Sequence, residues 1–395
     1  MNDGWQMRNL GELCTLISGR HLRPKQHNTE SRGIGYLTGP ADFGPLNPVI
    51  SRWTEHPQAL AKRGDILITV KGAGVGKINL LAADTVAISR QLMAVRVTEG
   101  DPRFLFAFLG WQFEHFQSLG SGATVPGISR DNVLDLQVPM PPLAEQRRIV
   151  GILDEAFDGI TTAKANAERN LQNARALFES QLQAAFNRRG ERRDRDAALS
   201  SVLSTQPRNG WSPPAEFQTG SGTPVLTLSA VTGFKYDGSR TKLSSAPTRE
   251  EAHYWLENGE LLITRSNTRE LVGHVAIYDG IPAKAICCDL IMKMKVDPKK
   301  AITRFVYFFL RSPEARAYFT TRAHGASSTM KKIGKQVVQN ILIPLPALEE
   351  QGLIVSTLDS LQEETQRLES LYQRKLAALD ALKKSLLHRA FSGQL

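Results

Sequence analysis

A chain of 395 residues has room for two or three domains at roughly 150 residues each. Hydrophobic residues at 41% and charged residues at 22% allow a buried core and exclude an intrinsically disordered protein. Lys and Arg number 49 against 39 Asp and Glu, and the resulting charge of +10 suits a polyanionic partner. The opening Met1-Asn2-Asp3-Gly4-Trp5-Gln6-Met7-Arg8 lacks the apolar stretch of a signal peptide, and no run approaches the ~18 apolar residues of a membrane span. A cytoplasmic location is expected. Cys14, Cys287 and Cys288 cannot build a disulfide framework, and none stands in a Cys-x-x-Cys pair, so structural zinc is not expected either.

In chain order, Asp65 to Val70 is a β-rich run after Gly64, and the glycine-rich Lys71 to Ile78 follows it. A helix is expected from Phe104 to Phe116. Val138 to Pro142 forbids helix, and after it the pattern is helical over roughly 143–188, with a stop near Gly190. The same series then returns. Glu260 to Thr264 reads as a strand, Phe305 to Phe319 as a helix, Ile343 to Pro346 as a boundary, and roughly 347–391 as a second proline-free helix ending near Gly393.

The return is a tandem duplication. Pro139-Met140-Pro141-Pro142-Leu143-Ala144-Glu145-Gln146 is answered by Pro344-Leu345-Pro346-Ala347-Leu348-Glu349-Glu350-Gln351, an offset of 205 (350 − 145). Gly120, Thr124 and Ile128 match Gly325, Thr329 and Ile333 at that offset, as do Ala185-Phe186 and Ala390-Phe391. Upstream the register slips. Arg63 to Thr69 answers Asn258 to Thr264, and Val75-Gly76-Lys77 answers Val272-Gly273-His274.

Both long helices carry an apolar seam. In the second it runs through Leu358, Leu361, Thr365, Leu368, Tyr372, Leu379, Leu382 and Leu386, with Lys375 interrupting. In the first it runs through Leu153, Ala156, Ile160, Ala163, Ala167, Ala174, Leu177 and Gln181. A Leu-rich seam facing an Ala-rich one permits close pairing; packing of each stripe on its own domain, or homodimerisation, would use the same residues. At about 1.5 Å per residue each helix runs about 65 Å, which suits a spacer.

Motifs for catalysis are missing. Gly72 to Gly76 leaves three residues where a P-loop needs four, and Ile78 stands where magnesium needs Ser or Thr. There is no Asn-Pro-Pro-aromatic or Asp-Pro-Pro-aromatic methyltransferase motif, no His-x-x-x-His cluster and no nucleophile elbow. The chain is expected to catalyse nothing by itself, with no metal and no cofactor of its own. Basic residues are left as carriers of function. Lys71, Lys77, Arg90 and Arg130 in the first copy, with Arg265, Arg269, Lys331, Lys332 and Lys335 in the second, are the candidate DNA contacts. Lys71 and Arg265 follow matching strands, and Arg130 matches Lys335 at the offset of 205, so the same task would be done twice. Solvated surface charge is the plain reading of any one of them. A protein-assembly scaffold, or a restriction enzyme whose catalytic part lies elsewhere, are the alternative functions.

The repeated Pro-x-Pro-x-Leu-x-Glu-Gln before a long helix, with Gly64-Asp65-Ile66-Leu67-Ile68 and the closing Ala390-Phe391-Ser392-Gly393-Gln394-Leu395, resembles the DNA-specificity subunits of type I restriction–modification systems. Glu260 for Asp65 and Ala347 for Pro142 depart from the first copy's pattern. The resemblance implies an α+β protein with pseudo-twofold symmetry: target-recognition domains at 1–142 and 191–346, spacer helices at 143–190 and 347–395. It implies that the helices pair antiparallel as a coiled coil, with Leu153, Ile160, Ala167, Ala174, Leu358, Leu361, Leu368, Leu379 and Leu382 at the seam. It further implies a bipartite asymmetric site on double-stranded DNA, two modification subunits and restriction subunits as partners. S-adenosylmethionine, ATP and Mg2+ would then act on those partners.

Overall fold

The structure, a computed structural model, describes residues 4–120, 126–186, 196–218, 220–326 and 330–395. The expected repeat pair Thr124 and Thr329, the stop at Gly190 and parts of the loops around 121–130 and 326–335 lie outside the described residues. Contacts divide the chain into two compact units, one of residues 1–168 with 373–395, the other of residues 169–372. Each unit contains one copy of the sheet-rich front, the near end of its own long helix or the far end of the preceding one, and a piece of the other helix.

In the first unit four antiparallel strands run in the order Cys14–Ser18, Leu92–Val97, Ile66–Thr69, Ile78–Leu80. Side chains alternate across a strand, so Ile66 and Ile68 face one way and Leu67 the other. Ile66, Ile68, Met93 and Val95 bury against Phe104, Leu105, Phe108 and Leu109 of helix Pro102–Trp111. Leu67, Leu92 and Ala94 bury against Leu37, Val86 and Ile88 of a second sheet, ordered Trp53–Thr54, Ile34–Leu37, Thr85–Ile88, Leu60–Lys62. Cover on both faces explains why Ile66–Thr69 carries an unbroken apolar run rather than an alternating one.

The second unit repeats the plan. Leu203–Asn209, Ile291–Val296, Leu261–Thr264 and Val275–Ile277 form the central sheet, and Thr241–Ser244, Thr223–Leu226 and Ile286–Cys287 the second. Leu261, Ile263, Met292 and Met294 meet Phe305, Val306, Phe308 and Phe309, while Leu262, Ala276 and Ile291 face Leu226, Ala230 and Cys287. Each front helix expected as one piece is two: Pro102–Trp111 with Phe113–Leu119, and Thr303–Arg311 with Pro313–Arg322. At the second break Ser312 caps the new helix by accepting from the Ala315 N–H, and Pro313 occupies its first turn. The proline-rich boundaries are edge strands. Gln137–Met140 pairs with Gln6–Asn9, and Leu342–Pro344 with Asp196–Ala198.

The long helices span Leu143–Phe186 and Leu348–Phe391. In the first unit Ile149, Val150 and Leu153 pack in one core with Ala390 and Phe391; in the second, Phe178, Leu182 and Phe186 pack with Leu358. Within each unit, therefore, the start of one helix lies along the end of the other, and the two run antiparallel. Leu153, Ile160, Ala167 and Ala174 are buried at spacings of seven, as a coiled-coil seam requires. Leu358 is buried, and Leu361, Leu368 and Leu379 are half-buried. Leu382 corrects the seam, since it is 47% exposed, while Leu376 beside the interrupting Lys375 is half-buried. Past Ala174 the first helix also shifts its face by one residue: Leu177 is 53% exposed, and Phe178, Leu182 and Phe186 are buried instead. That stretch packs on Phe305 and Phe309 as well as on the neighbouring helix, so its apolar face follows the front domain.

The repeat's Ala-Phe pairs close these cores. The Phe391 ring lies 5.5 Å from Trp111, 5.3 Å from Phe104 and 5.4 Å from Phe108. Phe391→Ala is expected to cost about 3–5 kcal/mol, the range for emptying a buried aromatic site. Leu353→Ala, at an exposed position on the same helix, should stay within about 0.5 kcal/mol. Urea unfolding of the two variants checks the contrast.

Candidate nucleic-acid interface

The candidate cations collect at one end of each central sheet, and hydrogen bonding fixes how. In the first unit strand Ile66–Thr69 continues through Val70 and Lys71. The Val70 N–H donates to the Gln91 carbonyl (2.8 Å), the Ile128 N–H donates to the Val70 carbonyl (3.0 Å), and the Gly72 N–H donates to the Pro126 carbonyl (2.8 Å). Lys71 thereby faces Gly127 in a short ribbon. In the second unit the Arg265 N–H donates to the Leu290 carbonyl (2.8 Å) and the Ile333 N–H to the Arg265 carbonyl (2.9 Å). Ser266 faces Lys332, and Asn267 faces Lys331.

These bonds align the copies more strictly than the letters do. Val70 corresponds to Arg265, and Lys71 to Ser266, so the expected equivalence of Lys71 with Arg265 is corrected by one residue. The positive charge changes strand: Lys71 opposite Gly127 in one ribbon becomes Ser266 opposite Lys332 in the other. Ser266 is buried and Lys332 exposed, so Lys332 takes the place of Lys71.

The remaining candidates divide. Arg90 is exposed in the turn where Leu92 N–H donates to the Ser89 carbonyl; its counterpart is Asp289, whose carboxylate is tied to Ser212, so the charge at that position changes sign. Lys77 is exposed beside the glycine loop, whereas its counterpart His274 is buried. His274 stacks on Phe234 at 4.0 Å, and burial together with the nearby Arg316 pushes its pKa down to about 4, which leaves it neutral at neutral pH. Arg130 does match Lys335 at the offset of 205, but its guanidinium donates to the Leu16 carbonyl (3.0 Å) and Ser18 Oγ (2.8 Å). Lys335 begins helix Lys335–Gln339 and is exposed. Lys331 donates to the Gly325 carbonyl of its own loop at 2.7 Å, and Arg265 to the Asp289 carbonyl of the neighbouring turn at 3.4 Å. Arg269 is exposed in the turn after Thr268. Asn267, which pairs with Lys331 on the ribbon, is uncharged and so falls outside a search for cations; its Oδ1 accepts from the Thr268 N–H at 2.9 Å.

The glycine loop of the first unit is a hairpin connection. Gly76 N–H donates to the Thr69 carbonyl, Gly76 has φ of +81°, and a Cβ there would lie 2.8 Å from the Phe116 Cβ. Close backbone approach to helix Phe113–Leu119 accounts for that glycine without a bound nucleotide. Among the described residues, no group of three His, Cys, Asp or Glu side chains is placed to hold a metal, and no helix is long and apolar enough to cross a membrane.

Two α+β units built on one duplicated plan each end their central sheet in a cation-bearing ribbon. The family described as the type I restriction modification DNA specificity domain matches residues 2–170 and 209–375, and the chain belongs to that family. Among curated relatives, the EcoKI specificity subunit of Escherichia coli (strain K12) is 26% identical over 290 residues, covering 70% of this chain and 62% of the relative. The EcoBI specificity subunit of Escherichia coli is 21% identical over 430 residues, covering 100% of this chain and 87% of the relative. The HsdS subunit from Thermoanaerobacter tengcongensis shares the fold at a TM-score of 0.60 and 20% identity, covering 100% of this chain and 98% of that one. A chain from a study of assembly and conformational transition in the type I R-M system shares it at a TM-score of 0.78 and 20% identity, over 100% and 99% of the two chains.

Proposed function

We propose that this chain is the DNA-specificity subunit of a type I restriction–modification complex, with target-recognition domains at 1–142 and 191–346 and with the helices of 143–190 and 347–395 as the frame for assembly. The observation that carries this is the pair of ribbons: the same strand end is used twice, with Lys71 on one strand in the first unit and Lys332 on the other strand in the second. Two readers of the same build and different side chains select two different half-sites, hence a bipartite, asymmetric site. Catalysis falls to partners in the cytoplasm. Two modification subunits would bring S-adenosylmethionine chemistry, and restriction subunits would bring ATP- and Mg2+-dependent translocation and cleavage.

The test is selection of bound duplexes from a randomised pool, with the chain assembled on its modification subunits. Two separated, unlike half-sites are expected. Lys71→Ala should act on one half-site and Lys332→Ala on the other. If the lysines touch phosphate, each variant lowers the salt slope of binding by about one unit and keeps specificity. If they touch guanine, one position relaxes at a cost of about 1–3 kcal/mol. A single selected word, or binding unchanged in both variants, overturns the assignment.

A further inference from the structure

The two long helices meet through ion pairs whose arrangement the duplication makes informative. In the first unit Lys164 pairs with Asp380; in the second, Arg175 pairs with Glu369 at 2.6 Å. At the repeat offset of 205, Lys164 corresponds to Glu369 and Arg175 corresponds to Asp380. The two contacts are therefore one contact seen twice, made by the same two repeat positions. The first helix has a cation at both positions, and the second has an anion at both.

A symmetric pair of identical helices could not be built this way. In an antiparallel pair with this register, repeat position 164 of one helix faces position 175 of the other. Two copies of the first helix would set Lys164 against Arg175 twice, and two copies of the second would set Glu369 against Asp380 twice. A helix suited to pairing with its own kind needs opposite charges at the two positions. Here the charges agree within a helix and oppose between helices.

We infer that Lys164, Arg175, Glu369 and Asp380 form a pairing code that admits the unlike helices of the repeat and rejects like ones. Stability is not what these contacts supply. Side-chain exposures of 31% and 62% for the first pair, and 56% and 29% for the second, leave each attraction weak and screened by salt. Choice between pairings is another matter, because going from unlike to like partners replaces two attractions by two repulsions. The seam favours unlike helices by shape, with Ala167 and Ala174 on the first helix and Leu358, Leu361 and Leu368 on the second, and the charges add to that preference; the seam is unchanged in the variants below. A duplicated protein must prevent its halves from pairing as they would in a homodimer, and the code does so at positions that leave the cores untouched. The inference stands on the repeat and the ion pairs and does not depend on what the units read.

The variant R175E/E369K isolates the code. It keeps two opposite-charge contacts inside the chain: Lys164 with Asp380 as before, and positions 175 and 369 with their signs exchanged. Each helix now carries one charge of each sign, so like helices of different copies can also pair. The melting temperature of R175E/E369K is expected to equal that of the native chain, with the small loss in R175E alone recovered by adding E369K. After refolding from denaturant at high protein concentration, light scattering should find multichain species in R175E/E369K raised about tenfold over the native chain, equivalent to about 1.4 kcal/mol. Exchange of unlike helices between copies is permitted in both proteins and cancels in the comparison. The four-residue exchange K164E/R175E/E369K/D380K restores segregation and should return multichain species to the native level. Equal multichain species in native and R175E/E369K chains would overturn the code, and so would an R175E loss that E369K fails to recover.

Discussion

Gln351→Ala is expected to destabilise the second unit by about 2–4 kcal/mol, far beyond what loss of a polar side chain on a helix surface does. Gln351 is fully buried in the first turn of its helix. Its Oε1 accepts from the Ile302 N–H at 2.9 Å, and its Nε2 donates to the Pro346 carbonyl at 2.9 Å. Ile302 caps helix Thr303–Arg311, and Pro346 ends the boundary strand's exit, so one amide ties three segments. Alanine leaves buried backbone groups on both sides without partners. Gln146 does the same in the first unit, accepting from the Asp101 N–H and donating to the Pro141 carbonyl, both at 2.8 Å. The glutamine of the repeated Glu-Gln thus has a structural cause. Gln351→Glu discriminates further, because a carboxylate can accept from Ile302 but cannot donate to Pro346. Urea midpoints of the two variants decide it, and a midpoint unchanged in Gln351→Ala would remove the clamp from the account.

Glu260→Ala should be costlier still, about 3–5 kcal/mol, because it strands a buried ammonium. Lys293 and Glu260 are 5% and 2% exposed, and Lys293 Nζ lies 2.8 Å from Glu260 Oε1. Glu260 also accepts from the Glu257 N–H at 2.9 Å, and Lys293 donates to the Trp255 carbonyl. Replacing the pair together, as Glu260→Leu with Lys293→Met, removes both charges and should cost much less than either single change. Thermal melting of the single and double variants gives the coupling directly. The first unit keeps the carboxylate, Asp65, but draws its cation from Arg96, which is part-exposed, so Asp65→Ala there should cost less.

Helices and duplication were legible in the sequence, since prolines mark both boundaries and the offset of 205 holds without a gap from residue 120 to 186. The candidate interface was not legible at the level of single residues. Between Thr69 and Gly120 the two copies differ by insertions, so the offset is 195 at Thr69 (264 − 69) and 199 at Leu92 (291 − 92). Matching Lys71 to Arg265 by chemistry slips one residue, and on a strand one residue is the opposite face. Only the bonds to Gln91, Leu290, Ile128 and Ile333 restore the register. Leu382 and Leu177 fall off the expected seam for a related reason: a periodic pattern names the apolar side of a helix without naming which of two neighbours that side follows.

The first unit's core draws Leu386, Leu387, Ala390 and Phe391 from more than 200 residues beyond its own sheets. The second unit needs only residues 169–372, a continuous stretch. The first half made therefore cannot close until nearly the whole chain exists, because Phe104, Phe108 and Trp111 take their ring partner from Phe391.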